Sequence, residues 1–291
     1  MASPVQACTL ISGSSGNSLL LSHEESKIML DAGSSGRRLL QELKAVDVNP
    51  GDIDALFLSH EHSDHSCGIV TMASRFDIPV YAHPESWSSL KLSDRQRDLI
   101  RVNFIDEGDV IEVGTWKVYP FKTFHDSLAS LAFKFDAGDR TVSVLTDTGH
   151  VDERMFAAMR GSDLVFIESN YDEGMLWNGP YPWPLKRRIA SKHGHLSNLH
   201  AATTIMRLHK DGTENFVLTH LSENNNTPEL AYETVASCLE DQGLELSEDV
   251  FLSLAPRHEA SLWYDVTPAK LREEERHFDF RQDRLSYSWG R

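Results

Sequence analysis

Cysteine is scarce in this chain of 291 residues: Cys8, Cys67 and Cys238 stand far apart and form no CxxC pair. Three scattered thiols argue against a disulfide scaffold and against a thiolate zinc cluster, and they fit a reducing cytoplasm. Long apolar runs are missing as well. No stretch approaches the roughly 20 apolar residues of a membrane span, and the opening MASPVQACTLISGSSGNS has no basic start and no long apolar core, so neither insertion nor export is expected. Positive charge is in short supply: 28 Lys and Arg against 44 Asp and Glu leave a formal charge of −16. Such a chain repels a polyanion at long range, which argues against a nonspecific nucleic-acid coat. Any DNA contact has to rest on local positive charge or on bound cations. Low-complexity tracts are absent, and 40% hydrophobic residues are enough for the core of one large α/β domain or two small ones.

Short β-rich runs alternate with helical patterns, and the turns between them carry Gly, Asp and Asn. This predicts a layered α/β architecture that no linker splits. Strands are expected at CTLIS, SLLLS, KIMLD, DALFLS, VIEV, WKVYPF, LAFKF, TVSVLTD, DLVFIE, NFVLTH, VFLSL and SLWYDV. Helices are expected at 36–45, 66–76, 84–91, 151–159, 197–209 and 227–242, the last two with apolar residues at helical spacing. YPWPLKRR, broken by proline and rich in aromatics, reads as a loop leading into a short helix. One domain is expected over 1–266, followed by a highly charged C-terminal extension over 267–291.

Polar residues of the ligand type stand at the ends of several apolar runs. DALFLSH ends at His60, TVSVLTD at Asp147, DLVFIE at Glu168, NFVLTH at His220 and KIMLD at Asp31. Ligands in α/β sheets gather beyond strand C-termini, where loops converge while the strands hold them in place. LSHEHSDHSCG then puts His60, His62, Asp64 and His65 within six residues. On a tight loop, His60 and His62 can face one cation while Asp64 and His65 face a second, and imidazole with carboxylate suits zinc or manganese. A solvated histidine-rich turn is the bland alternative, and the strand feeding the loop argues against it. FKTFHDS adds His125, LTDTG adds Asp147 in a position to bridge two ions, and LTHLS adds His220. Asp31 is a carboxylate suited to orienting a ligand histidine. Cys67 is expected to be a small buried packing residue.

HEHSDH followed by His125, Asp147 and His220 resembles the metallo-β-lactamase superfamily, in the right order and over about residues 7–265. The resemblance implies a four-layered αββα sandwich with two metal ions at one edge of paired sheets. Members hydrolyse lactams, thioesters and phosphodiesters, so the fold leaves the reaction open. SGSSGNS, TFHDS, TDTGH, ESNYD, YPWPLKRRI, GHLSN and LTHLSENNNTPELA together resemble the YycJ/WalJ group, which implies a cytoplasmic exonuclease acting 5′ to 3′ on DNA. Two departures bear on substrate contacts: Tyr171 stands where the group usually has histidine, and SLAS follows Asp126 where Ala and then Pro-Gly are usual.

On this reading His60, His62 and His125 hold one zinc or manganese ion, Asp64, His65 and His220 hold the other, and Asp147 is shared. Two such ions lower the pKa of a bridging water, giving a hydroxide that attacks phosphorus, and they neutralise the scissile phosphate. Charge building on the phosphoryl and leaving 3′ oxygens calls for a proton donor. His195 in GHLSN is the candidate, because nucleases of the tRNase Z and RNase J types carry a comparable Gly-His-Ser or Gly-His-Ala element between the bridging Asp and the last histidine. Glu168 is placed to hydrogen-bond His195 and keep it protonated; these two and Asp64 are the candidate catalytic residues. Lys186, Arg187, Arg188 and Lys192 are candidate phosphate contacts, and Trp177, Tyr181 and Trp183 candidate stacking partners for terminal bases, against a solvated helix face and core aromatics. Ser197 and Asn198 either contact substrate or cap the following helix. Asn17, Ser18, Asn224, Asn225 and Asn226 bind phosphate or make turns. Two other functions stay open: a hydrolase of small phosphodiesters or thioesters, and a noncatalytic metal-bound regulatory module.

Overall fold

A computed structural model of the chain describes residues 4–268, so the charged extension expected over 267–291 lies outside the described residues except for its first two. The strands, in chain order, are β1 (Val5–Gly13), β2 (Gly16–His23), β3 (Ser26–Leu30), β4 (Ala55–Phe57), β5 (Val80–Ala82), β6 (Val102–Phe104), β7 (Ile111–Val113), β8 (Trp116–Lys122), β9 (Leu131–Asp136), β10 (Thr141–Leu145), β11 (Leu164–Glu168), β12 (Asn215–Thr219), β13 (Phe251–Leu254) and β14 (Tyr264–Asp265). They form two seven-stranded sheets, ordered β14-β1-β2-β3-β4-β5-β6 and β13-β12-β11-β10-β9-β8-β7. Each sheet opens as an antiparallel meander, β1 to β3 or β7 to β10, and continues as a parallel run, β3 to β6 or β10 to β13.

Parallel neighbours need crossovers, and the helices supply them. On the first sheet these are α1 (Gly36–Ala45), α2 (Ser63–Ser66), α3 (Ile69–Phe76), α4 (Pro84–Ser89) and α5 (Asp94–Arg97). On the second they are α6 (Glu153–Met159), α7 (Glu173–Asn178), α8 (Trp183–Ile189), α9 (Asn198–Lys210) and α10 (Pro228–Glu240). Both sheets are apolar on both faces, which is why their strands read as unbroken apolar runs. In β4, Ala55 and Phe57 enter the layer between the sheets while Leu56 packs outward with Leu39, Leu43 and Met72. In β11, Leu164 and Phe166 point inward while Val165 and Ile167 meet Ile205, Leu208 and Val235 of α9 and α10. Phe57 locks the two sheets together, stacked on Tyr81 at 4.8 Å and edge-on to Phe133 at 5.6 Å. The four layers expected from the sequence are present.

Four local differences from the sequence reading have physical causes. Strands β5 and β6 are three residues each, too short to show a period. The helix expected over 66–76 divides at Gly68, where an added Cβ would lie 2.3 Å from the Ser34 carbonyl oxygen; the loop leaving β3 crosses there. The short α5 and α7 went unread for the same reason as the short strands. Helix α8 starts at Trp183 inside the proline-broken segment, because Pro182 at its N-cap and Pro184 in its first turn sacrifice no hydrogen bond.

The C-terminal ends of β3, β4, β10, β11 and β12 meet at one edge. Ser12 Oγ and Thr219 Oγ1, 2.7 Å apart, tie the sheets there, and Ser12 Oγ also accepts from the His220 N–H at 3.0 Å. Just past their strands, Asp31, Asp147 and His220 adopt left-handed backbone with φ of 59°, 55° and 58°. That conformation costs about 1 kcal/mol or more per non-glycine residue, least for Asp, Asn and His, and it turns each side chain off the strand into the edge. Gly33 packs the first sheet's side of this edge together: its N–H bonds the Asn17 carbonyl at 2.8 Å, and an added Cβ would fall 1.6 Å from the Asp64 carbonyl oxygen. Gly33→Ala is expected to lower unfolding stability by about 1–3 kcal/mol, as overpacking against backbone does. Gly51→Ala, where a Cβ meets nothing nearer than 3.6 Å, serves as the unaffected control in the same urea titration.

Candidate metal centre

The loop after β4 carries Ser59 and His60, His62 caps α2, and the single turn of α2 presents Asp64 and His65. Ser66 Oγ donates to the Glu61 and His62 carbonyls at 3.1 and 2.9 Å and so fixes the turn. One trio forms from His60, His62 and His125, whose ligand atoms all lie within 4.8 Å of one another. His62 Nδ1 is 3.0 Å from His60 Nε2 and 3.3 Å from His125 Nε2. Asp64, His65 and His220 form a second trio within the same limit. Asp147 stands between them: Oδ2 is 3.1 Å from His65 Nε2, while Oδ1 is 3.6 Å from His125 Nε2 and 3.7 Å from His220 Nε2.

Outside this ring, buried carboxylates grip the far nitrogens. Asp31 Oδ2 is 2.7 Å from His65 Nδ1, and the same carboxylate accepts the Ser59 N–H and hydroxyl, both at 2.8 Å. Glu168 Oε1 is 2.6 Å from His195 Nδ1 and 2.8 Å from His220 Nδ1, while Oε2 accepts the Thr148 and Leu196 N–H groups. In all three pairs the carboxylate takes Nδ1 and leaves Nε2 for the cluster or the cleft, which is how carboxylate partners orient metal-binding histidines.

Charge in the metal-free polypeptide is uneven. Burial pushes His60 well below the usual histidine range, with His65 adding to it, and burial likewise lowers His125. Burial also opposes charge on His220 and His65, but Asp147 and the other carboxylates outweigh it, raising His220 to about 10 and His65 well above normal. Asp147, although buried, is held well below the carboxylate range by His220, His65 and His125. Within the cluster two buried atoms, Asp147 Oδ2 and His220 Nε2, form no hydrogen bond of good geometry, although ionic neighbours lie within 4 Å of each. Ring nitrogens packed 3.0–3.3 Å apart, beside buried polar atoms that form no hydrogen bond of good geometry, are the donor set of a divalent cation. These residues fit a metal.

A family model described as a beta-lactamase superfamily domain matches residues 26–221. Exodeoxyribonuclease YycJ of Bacillus anthracis is 36% identical over 239 residues, 82% of this chain and 90% of that protein. Exodeoxyribonuclease WalJ of Streptococcus pneumoniae is 35% identical over 242 residues, with the same shares covered. The chain belongs to the metallo-β-lactamase superfamily, in the YycJ/WalJ group. Among solved structures, the metallo-beta-lactamase fold protein YhfI from Bacillus subtilis, 18% identical, shares the fold with a TM-score of 0.68 over 88% of this chain and 99% of that one. The matched span covers every member of the cluster, from Asp31 to His220.

Within this superfamily frame the candidate substrate contacts separate. His195 lines a cleft of about 320 Å³ together with Tyr181, Leu185, Arg188 and Ile189 of the α8 segment. Arg187 and Lys192 are exposed outside that lining. Lys186 is buried, its Nζ donating to the Trp177 and Gly179 carbonyls at 2.8 and 2.7 Å, so it braces α8 instead of meeting phosphate. Ser197 and Asn198 are buried too: Ser197 Oγ caps α9 by accepting from His200 N, and Asn198 Oδ1 accepts from Ser169 Oγ and Asn226 Nδ2. Ser197 is thus the cap and Asn198 a buried tie to neighbouring loops, and neither lines the cleft. Trp177 and Trp183 form an exposed pair with rings 5.3 Å apart, off the cleft lining. Tyr171 is buried, which pushes its phenol up to about 12. Cys67, expected inside, is exposed because α2 ends there.

Other residues at the site carried little signal. Ser59 bridges Asp31 and His60, Asn17 Nδ2 sits 3.1 Å from His65 Nε2, and Asn170 Nδ2 donates to the His220 carbonyl at 2.9 Å. Asn17, which the sequence offered as a phosphate or turn residue, follows the Gly-Ser turn between β1 and β2, and Asn170 lies two residues past the end of β11. Asp31→Asn keeps the shape and removes the charge behind His65, so metal affinity is expected to fall about 10- to 100-fold. Competition with a chromophoric chelator measures it, with circular dichroism confirming the fold; unchanged affinity would remove Asp31 from the centre.

Proposed function

We propose that the chain is a metal-dependent exodeoxyribonuclease that removes nucleotides from DNA in the 5′ to 3′ direction. The observation that carries this reading is His195, gripped at Nδ1 by the fully buried Glu168 and lining the cleft beside Asp147 and His220. A thioester expels a thiolate that leaves without a proton, whereas a phosphodiester expels an alkoxide that has to be protonated, and His195 stands beside the cluster to supply that proton. Support from the relatives is the printed activity of YycJ and WalJ; the direction of digestion rests on the group's resemblance.

His60, His62 and His125 would hold one divalent ion, zinc or manganese, Asp64, His65 and His220 a second, and Asp147 both. When bound, such ions neutralise the scissile phosphate and lower the pKa of a shared water. The chain's own residues do the rest. Burial disfavours charge on His195, but Glu168 more than offsets this and raises its pKa, which favours the protonated ring that a donor to the leaving 3′ oxygen requires. Glu168 also aligns His220, so one carboxylate sets the distance between the proton donor and a ligand. Arg188, Arg187 and Lys192 supply local positive charge on an acidic protein. No helix among the described residues is long and apolar enough to cross a membrane, and the three free cysteines suit a reducing cytoplasm.

His195→Ala is expected to retain the wild-type metal content and to lose about 10²- to 10⁴-fold in kcat, the usual worth of a general acid. The assay is a time course on 5′- and 3′-labelled duplexes with zinc or manganese returned to stripped protein, run beside a cyclic nucleotide and a glutathione thioester. Mononucleotide release from the 5′ end supports the proposal. Turnover of only the small substrates would favour the broader phosphodiesterase or thioesterase reading, and no turnover at all would favour a noncatalytic regulator.

A further inference from the structure

The cleft is lined by three carboxylates, Asp64, Asp126 and Asp147, and among the described residues by one Lys or Arg, Arg188. From this, and resting on the exonuclease reading above, we infer that Arg188 is the specificity-determining residue for the strand end: it seats the 5′-phosphate of the nucleotide about to be released.

Placement carries the argument. Arg188 Nε is paired with Asp126 Oδ2, and Asp126 Oδ1 lies 3.3 Å from His125 Nε2. The guanidinium therefore stands one carboxylate away from the candidate metal cluster, where the phosphate neighbouring the scissile one would lie. Among the described residues the guanidinium makes no other hydrogen bond, so its Nη amino groups face the cleft or solvent and match the geometry of a phosphate. Tyr181, Leu185, Arg188 and Ile189 share one face of the α8 segment, an aromatic and apolar wall with a single cation at its edge. That wall is held in place: Lys186 anchors it to the Trp177 and Gly179 carbonyls, and Asn224 Nδ2 donates to Tyr181 Oη at 2.9 Å. A nucleotide whose 3′-phosphate is presented to the cluster and whose sugar and base rest on this wall turns its 5′-phosphate to Arg188. On the exonuclease reading that nucleotide is the last of its strand, so the phosphate there is terminal. Lys186 is turned away and Arg187 and Lys192 lie off the lining, so no other basic residue of the stretch can take this place.

The test uses holoenzyme and two duplexes that differ only in carrying a 5′-phosphate or a 5′-hydroxyl. Wild type is expected to favour the phosphorylated end about tenfold or more in kcat/KM, the worth of a charge-assisted contact to phosphate, with the difference carried by KM. Arg188→Gln is expected to bring the ratio of the two substrates to about one, and Arg188→Lys to restore part of it, since ammonium keeps the charge without the fork. Metal content of each variant shows that the centre is intact. Equal use of both ends by wild type, or an Arg188→Gln loss that is the same on both duplexes, overturns the inference while leaving the exonuclease standing. Absence of any DNA degradation by wild type overturns both.

Discussion

Seven imidazole and carboxylate groups are driven into one buried edge, and their crowding is the constraint around which the molecule is arranged. His60, His65, Asp147 and His220 are each at most 2% exposed. Burying such groups without partners is strongly unfavourable, so each needs a counter-group, a hydrogen bond or a cation. Asp31 and Glu168 supply the first two from behind, and the nitrogens that remain converge on the third. Left-handed backbone at Asp31, Asp147 and His220 is the local strain that this convergence requires.

Two stiff sheets make the arrangement tolerable. Parallel strands in each sheet end at the same level, and the aromatic packing of Phe57 against Phe133 and Phe135 fixes one sheet on the other. Side chains that begin on different sheets can then be held at ligand distances without a flexible loop between them. His60, His62, Asp64 and His65 come from the first sheet and Asp147, Glu168 and His220 from the second. The centre is thus also the seam of the sandwich, and Ser12 sits on that seam in contact with Thr219.

Glu168 gives the seam a direction. Its single oxygen Oε1 serves both His195 and His220, so the position of the proton donor is tied to that of a candidate ligand, and the cleft acquires a defined far wall in α8. The basic stretch preceding His195 divides accordingly. One face of α8 meets the cleft with Arg188, and Lys186 goes into the protein as a brace. Helical periodicity made one cleft residue, one brace and one exposed charge of Arg188, Lys186 and Arg187, and Lys192 lies exposed beyond the helix.

Much of this could be read from the chain alone. Apolar runs ending in His60, Asp147, Glu168 and His220 declared the strands and the chemistry at their ends, because a strand's length and a ligand's residue type are both local properties. The helix over 36–45 was legible for the same reason, its buried Leu39 and Leu43 standing at helical spacing. The short strands β5 and β6 and the short helices α5 and α7 were not, since they carry no clear period and exist only through pairing and packing with neighbours. Nor could local sequence say that Lys186, Ser197 and Asn198 would be buried, that Cys67 would be exposed, or that Glu168 would hold two histidines. Residue identity determined which atoms could bind a cation or move a proton. Only the tertiary structure decided which of them face one another, because that depends on two sheets, each built from distant parts of the chain, packing at one particular register.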